Sequence, residues 1–139
     1  AIKMVAYTNT EMGYASVVPD GWQDSGDGVF ARAQSSLDET ALLQMSGQNV
    51  SSRTVGQAIL TSLGAGTLPR TGETYAGATL TWQVYRMSVT LQGQSFRIAL
   101  GLADANNRAF IVLLLSMPDE ADSLYKDVFL PALNAMRAL

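Results

Sequence analysis

The stretch Leu80-Thr81-Trp82-Gln83-Val84-Tyr85-Arg86-Met87-Ser88-Val89-Thr90-Leu91 decides the fold, together with Phe96-Arg97-Ile98-Ala99-Leu100-Gly101-Leu102 and Phe110-Ile111-Val112-Leu113-Leu114-Leu115. In the first two runs apolar side chains alternate with others at a period of two, as strands with one inward face require. Leu80, Trp82 and Val84 share one face, at even positions. Met87, Val89 and Leu91 continue at odd positions, and a one-residue change of phase predicts a β-bulge near Tyr85-Arg86. Gln92-Gly93 and the segment from Asp104 to Asn107 read as turns between the runs. Phe110 to Leu115 is apolar at every position, so both faces must be covered and this is the expected central strand. The three strands make an antiparallel meander.

Working back from the meander, Ser51 or Ser52 can cap a helix that runs to about Leu63. Val55, Ile59 and Leu63 recur on one helical face, and Gly64 and Gly66 supply the stop. Gly56 inside that helix costs about 1 kcal/mol relative to Ala, so either the face packs closely there or the helix begins later. Lys3 to Thr8, Gly13 to Val18, Val29 to Ala33 and Ala41 to Ser46 are strand candidates. Pro19-Asp20-Gly21 ends the second of these, and Trp22 should fold back onto the core.

Beyond the meander, Ser116 and Asp119 have the spacing of a capping box, with Pro118 in the first turn. Ala121, Leu124, Tyr125 and Val128 form one helical face, and Pro131 should kink or restart the helix. The expected order is β-β-β-β-α-β-β-β-α: an α+β antiparallel sheet packed with helices.

The totals bound the function. A length of 139 residues with 47% apolar content fits a single domain, 1–139, with its own core. There is no histidine and no cysteine, which removes imidazole and thiolate nucleophiles, their metal sites and disulfides. Nine basic residues are spread out, no two adjacent, and the net charge is −3, which argues against a nucleic-acid partner. The longest apolar run, Ala109 to Leu115, is too short for a transmembrane segment. The chain opens at Ala1, which suggests a processed mature protein or a domain cut from a longer one. Charged residues are only 15%, and that composition leans toward a place outside the cytoplasm.

The run from Tyr7 to Trp22, with Gly13-Tyr14-Ala15-Ser16 and Pro19-Asp20-Gly21-Trp22, resembles the opening of PsbP-like domains. The closing apolar strand, Pro118, acidic turn and helix resemble the end of those domains. The resemblance covers most of the chain and implies a PsbP/Mog-like α/β/α sandwich. The segment Pro118 to Pro131 is similar to accessory domains attached to predicted bacterial α/β-hydrolases. PsbP-like proteins are typically exported or lumenal and assist larger assemblies, and the related Mog-type fold binds a small GTPase. The resemblance therefore implies binding or support rather than turnover, with no cofactor.

Candidate chemistry is sparse. Ser123 and Lys126 match Ser-x-x-Lys, but the partner motifs of that class are absent and a solvated helix face is the simpler reading. Asp20, Asp24 and Asp27 crowd one loop region, where turn-forming Asp explains them better than Ca²⁺ binding. Asp119, Glu120 and Asp122 suit a helix N-terminus. Asn49-Val50-Ser51 fits a glycosylation sequon. No catalytic or metal residue is assigned. Trp22, Trp82, Tyr85 and Phe96 are the ligand-pocket candidates, which either line an apolar pocket between helix and sheet or fill the core. The expected function is a non-catalytic protein-interaction or accessory domain whose partner is another protein or a covalently linked catalytic domain. The alternatives are an apolar-ligand carrier and, less favoured, a hydrolase without His.

Overall fold

The structure, a computed structural model, describes residues 2–139. The elements run β1 (Met4–Asn9), β2 (Tyr14–Pro19), β3 (Gln23–Asp24), β4 (Val29–Ala31), β5 (Ala41–Gln48) and α1 (Ser52–Ser62). They continue with β6 (Glu73–Ala76), β7 (Thr81–Leu91), β8 (Gln94–Ala105), β9 (Arg108–Ser116), α2 (Ala121–Leu124), a π-helical turn (Tyr125–Phe129), α3 (Leu130–Ala135) and β10 (Arg137–Ala138). The main sheet has the strand order β3-β4-β5-β9-β8-β7-β6, and every pairing in it is antiparallel. A small sheet, β1-β2-β10, joins the C-terminal helices over one face, and α1 covers the other. This is the expected α+β sandwich, with short strands β3, β6 and β10 added to the expected order.

The all-apolar run lies at the middle of the main sheet, as its composition requires. Phe110, Val112 and Leu114 face the layer of the C-terminal helices, while Ile111 and Leu113 face α1. The meander's two turns lie at Gln92-Gly93 and Asn106-Asn107, with Gln92 at φ 51° and the asparagines at 54° and 60°. Left-handed pairs of this kind match the twist of a two-residue hairpin.

The expected β-bulge is absent. The pairing of β7 with β8 runs unbroken from Gln83↔Leu102 to Leu91↔Gln94. The change of phase has another cause. Trp82 and Val84 are buried under the C-terminal helices, whereas Tyr85 and Val89 are buried under α1. The strand stays regular, and its cover changes from one face to the other along its length.

Ser51 caps α1, accepting from the Thr54 N–H at 3.1 Å. Asp104, at the end of β8, accepts from the Ser52 N–H at 2.8 Å, so the sheet also satisfies the helix start. The buried line of α1 is Ser52, Gly56 and Leu60, with Val55, Ile59 and Leu63 flanking it half-buried. Apolarity alone misplaced the centre of that face, because its closest approach is made by a glycine. A Cβ on Gly56 would lie 2.9 Å from Leu102 Cδ2. The helix ends on Gly64 at φ 67°, with Ala65 N–H bonded to the Leu60 carbonyl at 2.9 Å and Gly64 N–H to that of Thr61 at 3.1 Å.

At the other end the capping box does not form. Ser116 belongs to β9, paired with Arg97 and buried, and α2 starts only after a turn through Pro118. Pro131 restarts the helix as expected. Leu130 N–H bonds to the Tyr125 carbonyl, one residue further back than in an α-helix. The widened turn accommodates a ring that would otherwise meet the carbonyl four residues back.

Arg32 joins the β4–β5 connection to the start of α2. Its guanidinium makes one fork to Asp38 (2.8 and 3.1 Å) and another to Glu120 (2.6 and 2.9 Å). Asp38 also accepts the N–H groups of Gln34 and Thr40, both at 3.1 Å. Hydrogen bonding from Arg32 holds both carboxyls below the usual carboxylate range.

Two outcomes follow from this packing. Gly56→Val should lower unfolding free energy by about 1–3 kcal/mol through overpacking, whereas Ala58→Val on the exposed face should cost under ~1 kcal/mol; urea melts of the two variants check this. Arg32→Gln should cost about 1–3 kcal/mol at neutral pH. Because the folded carboxyls are depressed, that stabilisation is present above their unfolded pKa near about 4 and is lost as pH falls through the folded values. The gap between Arg32→Gln and the parent in thermal melts should therefore close in acid.

Candidate functional site

Strand β7 is eleven residues long, but the edge strand β6 covers only Thr81 to Val84. From Tyr85 to Leu91 its outer side is open: among the described residues, no backbone group pairs with it there. Gly72, just before β6, still packs closely, since a Cβ there would lie 2.6 Å from the Val84 carbonyl oxygen, but the ladder stops at Glu73. Counting from the two-residue turn, Leu91 and every second residue before it bond to β8. Arg86, Ser88 and Thr90 therefore turn their N–H and C=O groups outward. All three side chains are exposed on the face of the C-terminal helices.

A depression flanks this edge on each face. On the side of the C-terminal helices, a cleft of about 290 Å³ opens beside the start of α2. Ala99 and Leu114 contribute to its apolar lining, and Arg86, Arg97, Asp122 and Tyr125 supply polar groups. Arg97 stands opposite Ser88 across the β7–β8 pair, and Arg86 opposite Ala99. The Arg86 guanidinium lies 4.0 Å above the Tyr125 ring and donates to Asp122 at 2.9 Å. Burial pushes the Tyr125 phenol above its ordinary pKa, and Arg86 opposes that rise. On the α1 side, a groove of about 630 Å³ is lined by Leu63, Leu91 and Phe96 together with Leu37, which is 87% exposed.

The four aromatic candidates are not gathered in one place. Trp82 is fully buried under α3, where its Nε1–H donates to the Leu133 carbonyl at 3.1 Å. Tyr85 and Phe96 lie on the opposite face, in the layer with α1. The Tyr85 hydroxyl accepts from Arg53 at 3.2 Å, and Phe96 lines the groove beside the open edge. Trp22 is half-buried against the small-sheet side of the core. Asp24 accepts the Gly26 N–H at 2.9 Å, a turn contact, and the Ser123 hydroxyl donates to the Glu120 carbonyl at 3.5 Å. Among the described residues, no group of three acidic side chains is arranged to hold a metal ion, and no helix is long and apolar enough to cross a membrane.

Sequence reasoning missed Arg86, Ser88 and Arg97 as a set. The signal was present: counting in register back from Gln92-Gly93 pairs Ser88 with Arg97 and puts Arg86 on the same face. The supposed bulge at Tyr85-Arg86 broke that count.

No family profile and no curated protein matches the sequence. Solved structures do match. The Ran-binding protein Mog1p of Saccharomyces cerevisiae is similar at TM-score 0.62 and 11% identity, over 99% of this chain and 96% of that one. LpqN of Mycobacterium tuberculosis, described as involved in cell envelope biogenesis, is similar at TM-score 0.57 and 15% identity, over 97% and 90%. The cyanobacterial PsbP (CyanoP) of Synechocystis is similar at TM-score 0.52 and 12% identity, over 98% and 92%. A Bacteroides thetaiotaomicron protein matches at TM-score 0.60 and 10% identity over 91% of this chain, which spans 45% of that protein's length. The chain has the PsbP/Mog-like fold that its opening and closing residues implied.

The contact between Arg86 and Tyr125 has a direct readout. Arg86→Ala should raise the Tyr125 phenol pKa further, since the guanidinium favours the phenolate. Ultraviolet titration, with Tyr125→Phe identifying the transition, checks the sign.

Proposed function

We propose that residues 1–139 form one non-catalytic binding domain of an exported bacterial protein, and that its open β7 edge receives an extended segment of a protein partner. The observation that carries this reading is the unpaired outer side of Tyr85 to Leu91, with a cleft on one face and an apolar groove on the other. An added strand gains main-chain hydrogen bonds from Arg86, Ser88 and Thr90. Its alternate side chains fall to opposite faces, one set toward the Arg86 cleft and the other toward Leu91 and Phe96. Long, flat edges are usually blocked or covered; this one is left bare between two concave surfaces.

The partner is a separate protein or a catalytic domain in the same chain, a hydrolase being the candidate that the Pro118 to Pro131 resemblance suggests. At the level of fold, similarity to a Ran-binding protein supports a binding role, and similarity to a protein involved in cell envelope biogenesis is compatible with an extracytoplasmic place. Paired catalytic groups are not needed for this role.

Ser88→Pro tests the reading. The Ser88 N–H faces outward, so proline there spares the β8 pairing while removing a donor and blocking the edge. The variant should keep the parent's thermal midpoint within a few degrees and lose retention of the partner from source-cell extract. Equal retention by both proteins would remove the β7 edge as the contact surface.

A further inference from the structure

Resting on the strand-addition reading, we infer that the segment received by β7 carries a carboxylate side chain, seated between Arg86 and Arg97. Neighbouring strands lie about 4.8 Å apart, so an added strand would sit one spacing from Arg86 and roughly two from Arg97. A residue opposite Arg86 or Ser88 shares their face, so its side chain enters the cleft. Arg86 and Arg97 occupy diagonal positions of adjacent strands, since their partners are Ala99 and Ser88. Their long side chains both reach that cleft.

The local charge fits an acid. The charged groups that line the cleft are Arg86, Arg97 and Asp122, two cations to one acid on a chain whose net charge is −3, and Glu73 lies near enough to act on Tyr125 from the β6 side. Asp122 is a poor competitor for Arg86, because its side chain is 98% exposed and a solvated ion pair of this kind is weak. Stacking on Tyr125 holds the Arg86 guanidinium at the cleft whether or not Asp122 is engaged. Ala99 keeps the surface beneath Arg86 small, leaving room for a glutamate to lie across it. The opposite-face positions of the same segment are apolar, to match Leu63, Leu91 and Phe96.

The probe is a short end-blocked peptide of alternating Thr and Val with one central Glu on the Thr face, compared with its Gln counterpart. Binding to the parent, Ser88→Pro and Arg97→Gln is measured by calorimetry, and amide shifts locate the contact. The parent should bind the Glu peptide about tenfold tighter than the Gln peptide, with shifts at Arg86, Ser88 and Thr90. Arg97→Gln, at an exposed position, should bring the two peptides within about twofold of each other, and Ser88→Pro should lose both. If the parent binds both peptides equally and Ser88→Pro binds neither, the carboxylate preference is overturned and strand addition stands. If Ser88→Pro keeps the parent's affinity and preference, strand addition fails, and this inference with it. Binding of neither peptide by the parent overturns both.

Discussion

A strand apolar on both faces must be covered on both faces, and the rest of this structure follows from how β9 meets that demand. Phe110, Val112 and Leu114 require one layer, and Ile111 and Leu113 require another. Each buried side chain of this size contributes about 1.5–3 kcal/mol when removed from water, so leaving either face bare is not an option for a chain this short. The main sheet is wider than one helix. On one side α1 suffices only because Gly56 lets it approach Leu102 closely. On the other, three small elements share the work: the broken C-terminal helix, β1 and β2.

That division of cover has a consequence at the far end of β7. The C-terminal helices lie over Trp82 and Val84, where Trp82 anchors α3 through the Leu133 carbonyl. Toward the hairpin they reach only as far as Arg86, which Asp122 and Tyr125 contact, and they leave Arg86, Ser88 and Thr90 exposed. On the opposite face α1 covers Tyr85 and Val89 and then stops at Gly64. β6, four residues long, ends opposite Val84. The cover on both faces and the pairing on the edge thus stop short of the same hairpin. This hairpin is paired in register with the central strands, yet it is open on its outer side. A preformed edge with exposed hydrogen-bonding groups is what strand addition needs, since such an edge loses little entropy on pairing.

The legible parts of the fold were those governed by period and by local punctuation. The meander, the central position of Phe110 to Leu115, the cap at Ser51 or Ser52, the stop at Gly64 and Gly66 and the break at Pro131 each depend on a few neighbouring residues. The misread parts depend on contacts between residues far apart. The phase change in β7 looked like a bulge because a sequence shows which positions are apolar and not which layer covers them. The buried face of α1 was shifted because its centre is Ser52 and Gly56, a serine held by Asp104 and a glycine against Leu102. Ser116 looked like a cap because its spacing to Asp119 was right, while its pairing with Arg97 kept it in the strand.

The sequence by itself determined the class of fold, the central strand, the limits of α1 and the absence of imidazole and thiolate chemistry, because residue type and short-range pattern settle those. The tertiary structure alone decided that Trp82 and Tyr85 lie in different layers, that Arg32 joins Asp38 to Glu120, and that β7 outruns β6. It also decided that Arg86 and Arg97 meet beside that open edge. These are matters of register, helix length against sheet width, and distance in space, and no local pattern encodes where one element's cover ends on another.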